Sequence, residues 1–227
     1  MLHLERTDDA IYVIHMRGGE NRMNRTWLDG MHALLDQIEA DPDTHAVITT
    51  GEGKYFSNGL DLDWLMGPDA EEFRPFVADA EKLFARLLGL PLNTVAACNG
   101  HTYAAGAMFS LCHDFRVMRA DRGFWCLPEV DIGLPFTPGM DSLIKTRLPI
   151  TTAHDMMVTG DRIGGTEATA KGIVHEAVSE EQVLPRALEI ARHVGGKDRT
   201  TLATVKRRMN ERTIELLSDS PGTGPAE

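Results

Sequence analysis

Phe56-Ser57-Asn58-Gly59-Leu60-Asp61 and, further along, Asn99-Gly100-His101-Thr102-Tyr103-Ala104-Ala105-Gly106-Ala107 decide how this chain is read. Each is an apolar strand that runs into a small-residue turn and opens a helix. Such a turn leaves backbone N–H groups unpaired and aimed at one spot. Gly59 and Gly106 carry no Cβ and let the main chain approach a ligand, while Ala104 and Ala105 keep the second turn nearly as bare. Taken singly, each stretch is an ordinary strand-to-helix turn. Taken together, they offer two main-chain donors, the geometry of an oxyanion hole.

The pair resembles the signature of the crotonase superfamily of enoyl-CoA hydratases and isomerases, an F-x-x-G-x-D-L segment followed by N-G-x-x-x-[GA]-[GA]-G. The resemblance implies that the N–H groups of Leu60 and Ala105 hold the oxygen of an acyl-CoA thioester. It extends to Glu20-Asn21-Arg22-Met23-Asn24, to Cys112-His113-Asp114-Phe115-Arg116, to Pro128-Glu129-Val130-Asp131-Ile132-Gly133-Leu134 and to Met157-Val158-Thr159-Gly160-Asp161-Arg162-Ile163, with Ala168 and Lys171-Gly172-Ile173-Val174 closing the series in the family's order. The implied fold is α/β, a crotonase-like spiral of repeated β-β-α units with C-terminal helices for oligomerisation.

The order of elements fits that spiral. Leu2–Arg6 and Ile11–Met16 read as a hairpin, and Leu28, Met31, Leu34, Leu35 and Ile38 recur at helical spacing. Strands follow at His45–Thr50, Val95–Cys98, Phe115–Met118, Phe124–Cys126 and Ile173–Val178, and Ala104–Leu111 reads as a buried helix. Asp69 with Glu72 has the form of a helix N-cap and its capping-box partner, opening a helix whose apolar face runs from Phe73 to Leu88. Short helices are expected after Pro138 and Thr151. No repeat or composition break divides the chain. The expected organisation is a spiral core with the acyl-CoA site over 1–180, a helical region over 181–217 and a disordered tail over 218–227.

Bulk properties restrict the function classes. A chain of 227 residues with 42% hydrophobic and 25% charged residues is an ordinary globular composition for one domain. No apolar run reaches membrane-spanning length, and Met1-Leu2-His3-Leu4-Glu5-Arg6 lacks the apolar stretch of a secretory signal. Cys98, Cys112 and Cys126 show no metal-ligand spacing and are expected as reduced, buried thiols in a cytoplasmic protein. A net charge of −11 argues against nucleic acid as a partner. The same charge opposes the polyanion coenzyme A, so local cations are required. Candidates are Arg22, Arg25, Lys54 and the Lys206-Arg207-Arg208 cluster, though each taken singly reads more readily as a solvated surface charge.

Other chemistries lack their motifs. There is no G-x-G-x-x-G after a strand, no G-x-S-x-G and no H-E-x-x-H, so no cofactor and no metal are expected, and coenzyme A enters as part of the substrate. The resembled family places carboxylates two residues after the glycine of the second turn and in the P-E-x-x-x-G motif. Here those positions hold Met108 and Glu129. A thioether moves no proton at neutral pH, so the resemblance implies a Δ3,Δ2-enoyl-CoA isomerase in which Glu129 alone takes a proton from C2 and returns it at C4.

Asn58, Gly59, Gly106, Met108, Trp64 and Phe136, with Phe109 and Leu127, are the candidates for lining the acyl pocket, and Thr26-Trp27 with Trp64–Phe76 for bordering its tunnel. Asp61 and Asp114 are read as structural, capping a helix and anchoring a strand. Three alternatives remain open: a hydratase using a further carboxylate such as Asp131, Glu71 or Glu72, an acyl-CoA thioesterase, and a CoA-binding homologue without activity. By the same resemblance the expected assembly is a homotrimer or a dimer of trimers.

Overall fold

A computed structural model describes residues 1–65 and 73–223. Strands β1 (Leu2–Arg6) and β2 (Ile11–Met16) pair antiparallel, and among the described residues every later strand-to-strand pairing is parallel, with one isolated antiparallel bridge between Trp125 and Ile163. Helix α1 (Arg25–Ala40) follows, capped by Asn24, whose Oδ1 accepts from Trp27 N–H at 3.0 Å. Its residues Trp27, Leu28, Met31, Leu35 and Ile38 form one buried stripe.

Three times thereafter the chain adds a strand to a large sheet and the next to a small one. Strands β3 (Ala46–Gly51), β5 (Asn93–Cys98) and β7 (Phe115–Arg119) join the first, and β4 (Tyr55–Ser57), β6 (His101–Tyr103) and β8 (Trp125–Cys126) form the second. The helical parts of these turns are α2 (Leu62–Leu65) with α3 (Phe73–Leu88), then α4 (Ala105–Leu111), then α5 (Glu129–Ile132). That repetition is the expected spiral of β-β-α units. Strand β3 is buried along its whole length, as a strand covered on both faces must be.

Helices α6 (Pro138–Arg147), α7 (Ile150–Thr159) and α8 (Gly165–Ala170) lead to β9 (Glu176–Val178), which closes the large sheet in the order β1-β2-β3-β5-β7-β9. The strand is shorter than the expected Ile173–Val178, because Ile173 and Val174 donate to Ala168 O and finish the turn after α8.

The C-terminal helices α9 (Val183–Val194) and α10 (Arg199–Ser218) dock on their own chain. Val183, Ala187 and Ala191 of α9 pack with Ile11, Val13, Ile48, Val95 and Val117 on one face of the large sheet, and α10 lies along α3 and α6. The apolar face of α9 is therefore covered within the chain, whereas α10 leaves Val205 and Met209 exposed. The tail differs from expectation over 218–223: Ser218 ends α10, Ser220 Oγ donates to Glu81 Oε2 and Gly222 is buried. The Asp69–Glu72 cap and residues 224–227 lie outside the described residues. Among those described, no helix is long and apolar enough to cross a membrane. The three cysteines are free and buried, and burial raises their thiol pKa values, to about 12 at Cys98 and about 11 at Cys126.

Candidate active site

The two quoted turns meet. Gly59 has φ +85, and a Cβ built on it would lie 2.9 Å from Ala104 Cβ, 3.1 Å from Tyr103 O and 3.2 Å from Ala105 N. Gly106 repeats the contact from the other side, because its Cβ would stand 2.6 Å from Ser57 O. Each turn is thus seated on the main chain of the other, and only glycine allows that approach. Ala104, with φ 51 and ψ −126, swings the chain from β6 into α4. This is a sparsely populated conformation for a residue with a Cβ, held by the bond from its N–H to Cys126 O at 3.0 Å.

Beside the first turn runs the 20–24 segment. Asn21 is 2% exposed; its Nδ2 donates to Phe56 O at 3.0 Å and to Tyr55 O at 3.2 Å, and its Oδ1 accepts from Gly18 N–H. Asn58 N–H donates to Glu20 O, Met23 N–H to Gly59 O and Asp61 N–H to Met23 O. This ladder uses the neighbouring amides and skips Leu60. Among the described residues, neither Leu60 N–H nor Ala105 N–H donates to a protein acceptor.

Both residues line a cavity of about 200 Å³ together with Asn58, Met108 and Glu129. Met108 enters from α4, one turn beyond Ala104, whose carbonyl accepts its N–H at 3.1 Å. Glu129 is the first residue of α5 and 5% exposed. Its Oε2 is buried without a hydrogen-bond partner among the described residues. Removal from water pushes this carboxyl from an ordinary 4.5 up to about 7. Of the residues in the described wall, Glu129 alone is ionisable below the range of tyrosine, the other titratable one being Tyr103. Asp131 turns elsewhere, since a Cβ on Gly160 would lie 2.6 Å from its Oδ2. Glu71 and Glu72 lie outside the described residues.

Several candidates stand apart from this cavity. Trp64 meets the ring of Phe76 edge-on at 5.2 Å and Phe136 borders a neighbouring surface cleft, so neither lines the described wall. Phe109 is packed among Trp27, Phe56 and Phe84, and Leu127 belongs to the same core. Arg25 pairs with Asp79 at 2.8 Å and covers Phe76, and Lys54 lies over Tyr55 at 5.4 Å. Arg22 is engaged by Glu20 and Asp63. Lys206 must be corrected: it is 4% exposed, and its Nζ donates to Asp114 Oδ2 at 2.8 Å and to Leu92 O at 3.0 Å, so it is closed to a phosphate. Asp114 also accepts from Thr94 N–H and Oγ1 and so ties β5 to the start of β7. Asp61 faces Asn24 and Arg22 rather than a helix N–H group.

Phe73 falls in the stretch Trp64–Phe76 expected to border the acyl tunnel, and the rest of the wall escapes sequence reasoning. Leu62, Phe73, Val77, Pro128, Ile132, Leu134 and Met140 supply apolar surface from four elements and their joining loops. A cavity with two free N–H donors, one unpaired carboxyl of near-neutral pKa and a mostly apolar wall, in which Asn58, Tyr103 and Thr223 are the other polar side chains among the described residues, can polarise a carbonyl and move a proton beside it.

Residues 6–219 match the family model described as Enoyl-CoA hydratase/isomerase. The chain is 33% identical over 235 residues to Enoyl-CoA delta isomerase 3 of Arabidopsis thaliana, covering 98% of this chain and 99% of that protein. It is 28% identical over 207 residues to Crotonyl-CoA hydratase of Syntrophomonas wolfei, covering 89% and 78%. The crystal structure of human mitochondrial delta3-delta2-enoyl-CoA isomerase superposes with a TM-score of 0.85 at 26% identity, over 94% of this chain and 84% of that one.

Proposed function

This chain belongs to the enoyl-CoA hydratase/isomerase family, as an enzyme of the crotonase type, and on that premise we propose that it is a Δ3,Δ2-enoyl-CoA isomerase. The observation that carries the reading is the unpaired Oε2 of Glu129, buried in one cavity with the free N–H groups of Leu60 and Ala105 and with Met108.

The thioester oxygen of a 3-enoyl-CoA accepts from Leu60 N–H and Ala105 N–H. That polarisation acidifies C2. Glu129, as the carboxylate, takes a C2 proton, and the electron pair spreads over C2, C3, C4 and the thioester oxygen as a dienolate held by the two amides. Glu129, now neutral, gives the proton to C4, the C2=C3 bond forms and the carboxylate is restored. Atoms balance without water, and the apolar wall keeps water from diverting the intermediate. A pKa near 7 suits a group that must act as base and then as acid at neutral pH. No separate cofactor enters, because coenzyme A travels with the substrate.

A hydratase of this family has to hold and activate a water, and the position two residues after Gly106 offers only the Met108 thioether for it. Purified protein incubated with 3-cis- and 3-trans-hexenoyl-CoA tests the reading. Conjugation followed by absorbance, with no hydrated product by mass, supports it; unchanged 3-hexenoyl-CoA together with 3-hydroxyacyl-CoA formed from crotonyl-CoA, or release of free coenzyme A, replaces it with hydratase or thioesterase activity. Sedimentation of the same sample tests the proposed assembly, a homotrimer or a dimer of trimers, for which Val205 and Met209 on α10 are exposed.

A further inference from the structure

Helix α3 carries Phe73 and Val77 into the cavity wall, and one turn further on the same face stands Glu81, wholly buried. Both of its oxygens are engaged. Thr137 Oγ1 donates to Oε1, and Ser220 Oγ donates to Oε2. Thr137 is the N-cap of α6, which brings Met140 to the same wall. Ser220 belongs to the segment after α10, where its Oγ also accepts from Gly222 N–H at 3.1 Å. Gly222 has φ +73, and a Cβ on it would lie 2.1 Å from Arg74 O. The segment therefore runs in main-chain contact with the first turn of α3 and places Thr223 in the cavity wall beside Phe73 and Val77.

A carboxyl at a core position of a helix is costly unless it is hydrogen-bonded, and the proton shuttle makes no use of this one. What Glu81 does is join three elements that meet at one end of the acyl cavity: α3, the cap of α6 and the C-terminal segment. We propose that residues 219–223 are a specificity-determining strap that limits the site to short acyl chains, with Glu81 as the positioning residue that fixes where Thr223 stands. The inference rests on the acyl-CoA site read above and adds to it the length of the acyl group.

The test compares 3-trans-hexenoyl-CoA with 3-trans-dodecenoyl-CoA by kcat and KM, and the non-reacting hexanoyl-CoA and dodecanoyl-CoA by Kd. The parent favours the six-carbon member of each pair. Ending the chain after Asp219, or Glu81→Leu, raises the long-to-short ratio about tenfold or more, through KM and Kd rather than kcat, on the scale at which added methylenes are discriminated. Glu81→Gln keeps an acceptor for one hydroxyl and a donor for the other, and it holds the parental ratio. Thr223→Trp, in the full-length chain, lowers the ratio further. A shortened chain that binds hexanoyl-CoA with the parental ratio overturns the proposal. So does an unaltered ratio in Thr223→Trp, which decides the matter if the shortened chain does not fold. A parent that isomerises neither substrate contradicts the isomerase reading alone, and the strap is then judged by the same ratios in Kd.

Discussion

Gly59 and Ala105 are in main-chain contact: a Cβ on the first would lie 3.2 Å from the amide nitrogen of the second. The two donors proposed for the thioester oxygen are thus built by one close approach between turns that start from neighbouring strands of the small sheet, β4 and β6. Gly59→Ala strains φ +85 and meets Ala104 Cβ at 2.9 Å. The expected result is a kcat lowered by about 10²–10³, the effect of losing one oxyanion donor. Steady-state kinetics beside a circular-dichroism melt separates this from unfolding.

Glu129→Gln removes the base and leaves its volume. A loss of about 10²–10⁴ in kcat is expected for the isomerisation. For the parent, kcat/KM rises with pH through about 7, because free enzyme must hold Glu129 as carboxylate to accept the C2 proton.

The same carboxyl makes stability depend on pH. Its pKa is raised in the folded chain from 4.5 to about 7, so the folded state binds the proton more tightly than the unfolded one. Stability is therefore undiminished by this group below pH 4.5, falls as pH rises through that window and carries the full cost, about 3 kcal/mol, above it. Glu129→Gln abolishes the cost, so its Tm exceeds that of the parent at pH 8 and the difference closes toward pH 4.5. Parallel melts over that range check the sign.

Met108→Glu places a second carboxyl in the cavity wall. Like charges at short range oppose ionisation. The pH midpoint of kcat/KM should move upward, and 3-hydroxyacyl product should become detectable from crotonyl-CoA, which mass spectrometry reads directly.

Asn21→Ala breaks the ladder that seats the first turn. The buried carbonyl of Phe56 and the N–H of Gly18 lose their partner, and Tyr55 O keeps only the longer bond from Asn99 Nδ2 at 3.4 Å, for an expected cost of about 1–3 kcal/mol. A Tm lower by several degrees is expected, with KM raised more than the core is loosened. An unchanged Tm contradicts this assignment.

The spiral, the two turns, Glu129 and Met108 are legible in the sequence because each is local: apolar runs, bare turns and a short motif write themselves in consecutive residues. Thr223 and Met140 are not, since they reach the cavity from the end of the chain and from α6 by packing that no spacing records. Lys206 misleads for a related reason. Its neighbours Arg207 and Arg208 are exposed as a basic run suggests, yet one helical position turns Lys206 inward onto Asp114. Glu81 did leave a trace. It occupies the apolar spacing Phe73, Val77, Glu81, Phe84, Leu88, and a carboxylate in such a stripe signals a buried partner.

In the proposed reaction one carboxyl, that of Glu129, carries hydrogen from C2 to C4. Glu129 is 5% exposed, which slows trade of a captured proton with water during one turnover. Single-turnover conversion of 3-trans-hexenoyl-CoA deuterated at C2, with the label located in the product by NMR, tests it most directly. Deuterium at C4 of 2-trans-hexenoyl-CoA is the predicted result, and product that carries none at C4 contradicts it.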